Sequence, residues 1–187
     1  MKKISFTKMS GAGNDFIVID KNQNPSLQLD VEKIIKICNR RNGIGADGVI
    51  TILDSKEYDF VMEYFNADGS TGSLCGNGAR CAIKFANETR RFSGRTKFLS
   101  NGESYSGEVI EEDVIKFNLN SPKKIKTNFK VKAFNQLINS SFLDTGSPHV
   151  VIKIDEVLSD QKNPSSSYKD LNIFPVFELG KEIRYHK

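Results

Sequence analysis

Residues 65–81 read FNADGSTGSLCGNGARC and join two elements of different kinds. The apolar run that precedes this stretch and ends at Phe65 has the composition of a β-strand. The apolar residues after Cys75 recur at the spacing of one helix face: Ala79, Ala82, Ile83 and Ala86. The sequence therefore predicts a strand, a polar glycine-rich loop and a helix, with Cys75 where the loop enters the helix.

This position of Cys75 suits acid–base chemistry. The first backbone N–H groups of a helix have no intrahelical acceptor and carry partial positive charge, which stabilises a thiolate. The same N–H groups, here those of Gly76 and Asn77, can bind a carboxylate. The amides of Asn66 and Asn77 favour a binding loop. The alternative is a small buried cysteine that caps a loop rich in glycine for conformational reasons alone.

The composition is that of one or two globular domains. The chain has 187 residues, 38% of them hydrophobic, and a net charge of +4. The densest basic cluster, residues 123–126, has no interleaved aromatic residues, so we expect a solvated edge and no nucleic-acid site. The longest apolar run is too short for a membrane span and the first residues do not resemble a signal peptide, so no membrane association is expected.

The three cysteines fit neither a disulfide framework nor a zinc site. There is no C-x-x-C motif, and Cys75 and Cys81 are too far apart along one helix to form a disulfide. Cys38 shares a predicted helix face with Val31, Ile34 and Ile35, after an N-cap at Asp30, and is expected to be a core residue. We expect a reducing, cytoplasmic setting and no metal.

The first part of the chain, residues 1–120, is predicted to form one domain. Strands over residues 4–9 and 16–19 are expected to form a hairpin with Asn14 at its tip. Residues 43–48 match G-x-G-x-x-G, but a helix precedes them and a strand follows, which is the wrong context for a dinucleotide site. After the Cys75 helix, short strands continue to a boundary near residue 120.

The second part, residues 121–187, begins again with strands. They are expected at residues 129–132, 141–143 and 150–154, and a helix from Tyr168 to Arg184, interrupted by Pro175, follows them. Residues 146–152 weakly repeat residues 13–19, which suggests one motif used twice. On that alignment the equivalent of Cys75 would fall beyond residue 187, so the second domain is expected to be incomplete.

These ordered motifs resemble the diaminopimelate epimerases, amino-acid epimerases that use no cofactor. The resemblance covers the whole chain and rests on five segments: residues 8–16, 41–48, 65–81, 146–149 and 179–186. It implies an α+β fold of two pseudo-symmetric domains, each a mixed sheet wrapped around a central helix. The later Cys-Gly motif of the family does not occur in this sequence.

The resemblance also implies a reaction. The substrate, LL- or meso-diaminopimelate, would bind between the domains, where one thiolate removes the α-proton and an opposite thiol returns another. Cys75 would be the first-domain thiol, and His149 would lie near the two cysteines. The substrate contacts would be Asn14, Asn66, Gly76, Asn77 and Ser147. Ser147 stands where the family usually has Asn, which weakens one amide contact.

Several alternatives stay open. With one catalytic thiol, the chain alone should not invert its substrate. It would then be a fragment of the enzyme, or a non-catalytic remnant that still binds acids or forms a homodimer through exposed apolar surface. Another racemase or isomerase of the same fold is a further alternative, and a hydrolase that uses Cys75 and His149 is the weakest one.

Overall fold

The computed structural model describes residues 3–186, which form two compact units that meet in sequence between Asn120 and Ser121. The first unit contains a seven-stranded sheet in sequential order. Its strands are β1 Thr7–Gly11, β2 Asn14–Asp20, β3 Gly48–Leu53, β4 Phe60–Asn66, β5 Arg95–Ser100, β6 Glu103–Glu111 and β7 Val114–Asn118. The sheet is mixed, because β2 pairs with β3 and β4 pairs with β5 in parallel while the other neighbours are antiparallel.

A single helix, α2 (Gly76–Glu88), forms the centre of this unit. It packs against β1 to β4, β6 and β7, so the sheet curves around it. Its small residues Ala79, Ala82 and Ala86 are fully buried, which lets the strands approach the helix closely. The predicted α+β class, with a mixed sheet wrapped around a central helix, is confirmed here. Within residues 3–186, no helix has the length and apolar character needed to cross a membrane.

A shorter helix, α1 (Val31–Cys38), has its own small core with β2 and β3. The Asp30 carboxylate caps it by accepting a hydrogen bond from the Lys33 backbone N–H at 2.8 Å, as predicted. Cys38 is buried, which confirms its core role. Val31 and Ile35 remain about half exposed, because only one side of this short helix meets the sheet. The order helix, loop, strand confirms that the glycine motif after α1 lacks a dinucleotide-binding context.

The first hairpin differs in detail from its prediction. Its turn consists of Ala12 and Gly13, whose φ angles of 48° and 91° are those of a mirror-image two-residue turn. Asn14 is therefore not at the tip. It is the first residue of β2 and pairs with Gly11.

The second unit is a three-stranded antiparallel sheet with one helix. Its elements are β8 Lys123–Ala133, β9 Gln136–Asp144, β10 Pro148–Val151 and α3 Val176–Arg184. The lysine cluster, expected as a solvated edge, lies in β8, an edge strand that is longer than predicted. Lysines on an edge strand oppose pairing with other chains, because the approaching strand would have to desolvate them.

The predicted helix from Tyr168 to Arg184 is wrong in its first half. The Tyr168 backbone N–H donates to the Val157 carbonyl oxygen at 3.0 Å, and its ring packs edge-on against Phe174. Helix α3 begins only after Pro175, which restricts the residue before it to extended conformations. The strand expected over residues 150–154 also ends early, at Val151, and a short 3-10 helix, Ile154–Glu156, follows.

Candidate active site at the N-terminus of α2

Cys75 is the N-cap of α2, the position that the sequence predicts. Its Sγ accepts a weak hydrogen bond from the Gly78 backbone N–H at 3.4 Å, and its carbonyl oxygen accepts the first intrahelical bond, from Ala79. The N–H groups of Gly76 and Asn77 precede that bond and have no acceptor within the helix. Cys75 is half-buried at this end of the helix, directly before these two residues in the sequence.

The other two cysteines have a different environment. Cys38 and Cys81 are both buried and both free. Burial raises the pKa of the Cys81 thiol to about 11 and also raises that of Cys38. Both are therefore neutral core residues near neutral pH.

The glycines on the two sides of Cys75 serve different purposes. A Cβ at Gly72 would lie 2.2 Å from the Tyr64 ring, so this glycine is required by packing. The Gly72 N–H also donates to the Tyr64 carbonyl oxygen at 2.8 Å, which ties the loop back to β4. At Gly76 the nearest atoms to a Cβ are those of the Phe117 ring, at 3.9 Å. Packing among the described residues therefore does not explain the glycine at 76.

The predicted amide residues of the first unit lie at one end of its sheet. Asn14 begins β2 and Asn66 ends β4, and between them β3 begins at Gly48, which is the register partner of Asn66. Asn77 Nδ2 donates to Asn14 Oδ1 at 2.8 Å, which brings the first turn of α2 to this end. Asn66 Nδ2 donates to the Ser70 hydroxyl at 3.0 Å, within the loop that leads to Cys75. The structure thus joins Asn14 to Asn77 directly and places Asn66 at the same end of the sheet.

Charged residues that the sequence analysis did not single out surround Asn14. Arg40 donates to both Asp15 and Asp47, each at 2.7 Å, and Lys8 pairs with Asp15 at 2.9 Å. The Arg40 guanidinium and the Lys8 ammonium hold the pKa of Asp15 well below its usual range. The Asn14 amide, the Asp15 N–H and Arg40 likewise lower the pKa of Asp47. The sequence signal that could have identified these residues is the presence of charged side chains beside glycine-rich turns in three separate segments.

The remaining two candidates belong to the second unit. His149 is exposed in β10 and lies opposite Leu143 of β9. The Ser147 carbonyl oxygen accepts a hydrogen bond from the Thr145 N–H at 3.1 Å, in the turn between these strands. Gly146 in this turn has a φ of 97°, close to the 91° of Gly13 in the first hairpin. Among residues 3–186, no group of three or more His, Cys, Asp or Glu side chains is placed to hold a metal ion.

Comparison with known proteins gives a consistent result. A family model described as diaminopimelate epimerase matches residues 6–125. A diaminopimelate epimerase from Chlorobaculum tepidum is 40% identical over 181 residues, which cover 96% of this chain and 63% of that protein. The chain belongs to the diaminopimelate epimerase family. It spans between 60% and 64% of the length of three curated diaminopimelate epimerases that it matches, from Chlorobaculum tepidum, Flavobacterium psychrophilum and Aquifex aeolicus.

Solved structures outside the diaminopimelate epimerases show the same fold at low identity. A phenazine biosynthesis protein of the PhzF family from Bacillus anthracis has a TM-score of 0.58 at 19% identity, over 81% of this chain and 56% of that one. A probable proline racemase from Agrobacterium radiobacter has a TM-score of 0.58 at 10% identity, over 86% of this chain and 55% of that one. These likenesses concern the fold alone.

Proposed function

We propose that this chain carries one catalytic thiol of a cofactor-independent epimerase that interconverts LL- and meso-diaminopimelate. The observation that carries the proposal is the environment of Cys75, a half-buried thiol that caps α2 beside the N–H groups of Gly76 and Asn77. A carboxylate held by these N–H groups would place its α-carbon next to the sulfur. The family to which the chain belongs supplies the substrate class.

The chemistry follows from this geometry. The α-proton of an amino acid is weakly acidic, so its removal requires stabilisation of the carbanion by oriented dipoles in a site that excludes water. The end of α2 supplies such dipoles at the carboxylate. Cys75 as thiolate takes the proton from one face, and a second thiol must donate a proton to the opposite face. Buried Cys38 and Cys81 are unsuited to that second role.

The other predicted contacts have roles in the same proposal. Asn14 and Asn66, at the end of the sheet, would bind polar groups of the substrate away from the reacting carbon. Ser147 and His149 would act from the second unit, with His149 influencing the ionisation of the thiols. On this proposal the first unit is the N-terminal epimerase domain and the second is part of the C-terminal one.

The packing around residue 76 does not require a glycine, which supports a role for this glycine in carboxylate binding. An open site beside a glycine lets a ligand approach the backbone closely. The substitution Gly76→Ala should therefore leave the fold intact and weaken the binding of meso-diaminopimelate by about tenfold or more, because the added methyl group occupies the ligand position. Gly180→Ala, in exposed α3, is the matched control and should leave binding unchanged.

The decisive experiment is isotope exchange in heavy water. The purified chain is incubated with LL-diaminopimelate, and deuterium at the α-carbon and the stereoisomer ratio are measured together. We expect slow deuterium incorporation without net inversion, loss of incorporation in Cys75→Ala, and retention in Cys38→Ala, which removes a buried thiol. Net inversion by the pure chain would contradict the two-thiol mechanism.

A non-catalytic acid-binding protein is the second candidate, and the same experiment separates it. The favouring observation is that Cys38 and Cys81 are buried, so neither of them can serve as the second thiol that inversion requires. Its mark is saturable binding of diaminopimelate with no deuterium incorporation above the buffer rate.

A further inference from the structure

Four side chains form a continuous hydrogen-bonded chain beside Cys75. Asn14 Nδ2 donates to Asp47 Oδ2 at 2.9 Å, and Asn77 Nδ2 donates to Asn14 Oδ1 at 2.8 Å. The Arg80 guanidinium in turn donates to Asn77 Oδ1. This chain of hydrogen bonds thus connects the start of β3 to the first turns of α2 through the β1–β2 hairpin.

This chain has a fixed direction. An ionised carboxylate only accepts hydrogen bonds and a guanidinium only donates them, whereas each amide does both. With Asp47 at one end and Arg80 at the other, each amide has a single orientation that satisfies both neighbours. A flip of the Asn14 amide would place its NH₂ group against that of Asn77 and its oxygen against the Asp47 carboxylate. Such a flip therefore costs two hydrogen bonds.

Asp47 is itself firmly held as a charged acceptor. Arg40 donates to its Oδ1 at 2.7 Å, and the Asp15 backbone N–H donates to its Oδ2 at 3.2 Å. The Asp47 backbone N–H also donates to the Asp15 carbonyl oxygen at 2.9 Å. Both oxygens and the backbone of Asp47 are thereby fixed by Asp15 of β2 and by Arg40, two residues after the end of α1.

Backbone packing independently joins the hairpin to α2. A Cβ at Gly11 would lie 2.9 Å from the Asn77 carbonyl oxygen and 3.0 Å from Cys81 Sγ. Glycine at position 11 therefore lets the hairpin touch the helix directly. Helix ends are prone to fraying. Here the first turn is held by the backbone of the hairpin and by the four hydrogen-bonded side chains.

We infer that Asp47 is a positioning residue, which acts through Asn14 to orient the Asn77 amide and to hold the first turn of α2. This inference deepens the proposed function, because that turn presents the N–H groups of Gly76 and Asn77 to a carboxylate. The Asn77 side chain donates to Asn14 and accepts from Arg80, so the ligand contact that this inference concerns is the one made by its backbone N–H. Order imposed before binding lowers the entropic cost of binding.

The test uses the full 187-residue chain and two variants with the same chemical change. Asp47→Asn removes the charged acceptor. Asp54→Asn is the matched control. Asp54 also pairs with an arginine, Arg91, at 3.2 Å, but it is exposed and is not one of the four hydrogen-bonded side chains. NMR measures hydrogen exchange of the Asn77 side-chain amide, which does not touch residue 47. We expect about tenfold faster exchange in Asp47→Asn and no change in Asp54→Asn.

Unchanged Asn77 exchange in a folded Asp47→Asn variant would overturn the inference, since loss of a local contact alone would perturb only Asn14. If Asp47→Asn does not fold, Asp47→Glu keeps the charge and displaces the carboxylate from Asn14 by one methylene group, and unchanged Asn77 exchange in that variant overturns the inference equally. Binding of meso-diaminopimelate is measured in parallel. If the wild-type chain does not bind it, the proposed function fails, while the amide exchange still decides the role of Asp47.

Discussion

The helices of the two units differ sharply in burial. In α2, seven of 13 residues are buried, and they contribute to a core cluster that also contains buried residues from β2 to β6. In α3, Leu179 is the one buried residue. Among the described residues, the core cluster of its unit has Ala133, Ile138 and Val157 as its other buried members, with partly buried side chains packed against them. The first unit thus has a substantial hydrophobic core and the second a small one. Since burial of apolar surface is the main stabilising term, the first unit should be the more stable.

The comparison also concerns chemistry. In the first unit, the large core fixes a helix end, an accessible thiol and a directional chain of side chains in one place. In the second, His149 and its neighbours in β10 are exposed on a short strand. A rigid framework is what allows backbone N–H groups to be preorganised toward a ligand.

The largest expected effect is that of emptying the first core. Phe98 is fully buried and stacks on Phe60 with ring centroids 4.8 Å apart. Phe98→Ala should reduce the free energy of unfolding of the first unit by about 3–5 kcal/mol. Ile138→Ala in the second unit should cost about 2 kcal/mol, since a small core can collapse more easily around a deleted side chain. Urea unfolding, monitored in each unit by hydrogen exchange, measures the two losses in free energy of unfolding. Equal losses would contradict the comparison between the units.

A smaller effect is expected from adding one methyl group in the first unit. A Cβ at Gly107 would lie 2.4 Å from Ile83 Cδ1 and 2.8 Å from the Lys116 carbonyl oxygen. Gly107→Ala should therefore destabilise the first unit by about 1–3 kcal/mol through overpacking. Thermal unfolding checks this, and an unchanged or raised midpoint would show that β6 can move away from α2.

Acid should lower the stability of the first unit, because two of its carboxylates beside Asn14 are held in the charged form. The pKa values of Asp15 and Asp47 are lowered in the folded state, so the folded protein binds fewer protons than the unfolded one. Their contribution is complete above the ordinary carboxyl pKa of about 4 and is lost as the pH falls below it. We expect a loss smaller than that of Gly107→Ala, because both side chains are partly exposed.

Urea midpoints measured from pH 6 to pH 2.5 test this expectation. The Asp15→Asn variant should be less stable than the wild type at pH 6 and should show a shallower decline below pH 4. A decline as steep as that of the wild type would mean that other carboxylates dominate the acid response.

The smallest effect, of opposite sign, is expected in the second unit. Gly180 lies inside α3 and a Cβ there would meet no atom within 4 Å. Gly180→Ala should therefore stabilise the helix by about 0.5–1 kcal/mol, because alanine loses less backbone entropy. Thermal unfolding of each unit measures the change. A methyl group that stabilises the second unit at residue 180 and destabilises the first at residue 107 would show that the first core is filled and the second is not.

Much of the first unit was predictable because its signals are local. The apolar run that ends at Phe65 and the apolar spacing after Cys75 specify a strand and a helix without knowledge of any distant contact. Asp30 and Cys75 were recognised as caps from their immediate neighbours. Prediction was poorer in the second unit, where the lysines in β8 mask a strand pattern. The helix expected from Tyr168, with an interruption at Pro175, begins only after that proline.

The sequence by itself determined that Cys75 lies where a loop enters a helix and that Cys38 belongs in a core, since both follow from spacing along a few turns of chain. Only the tertiary structure decided which polar groups surround that cap. Asp47, Asn14 and Asn77 are separated by 33 and 63 residues, and they meet because β2 and β3 run parallel and the first hairpin touches α2. Contacts between segments so far apart depend on how the sheet closes around the helix, and no local pattern encodes that closure.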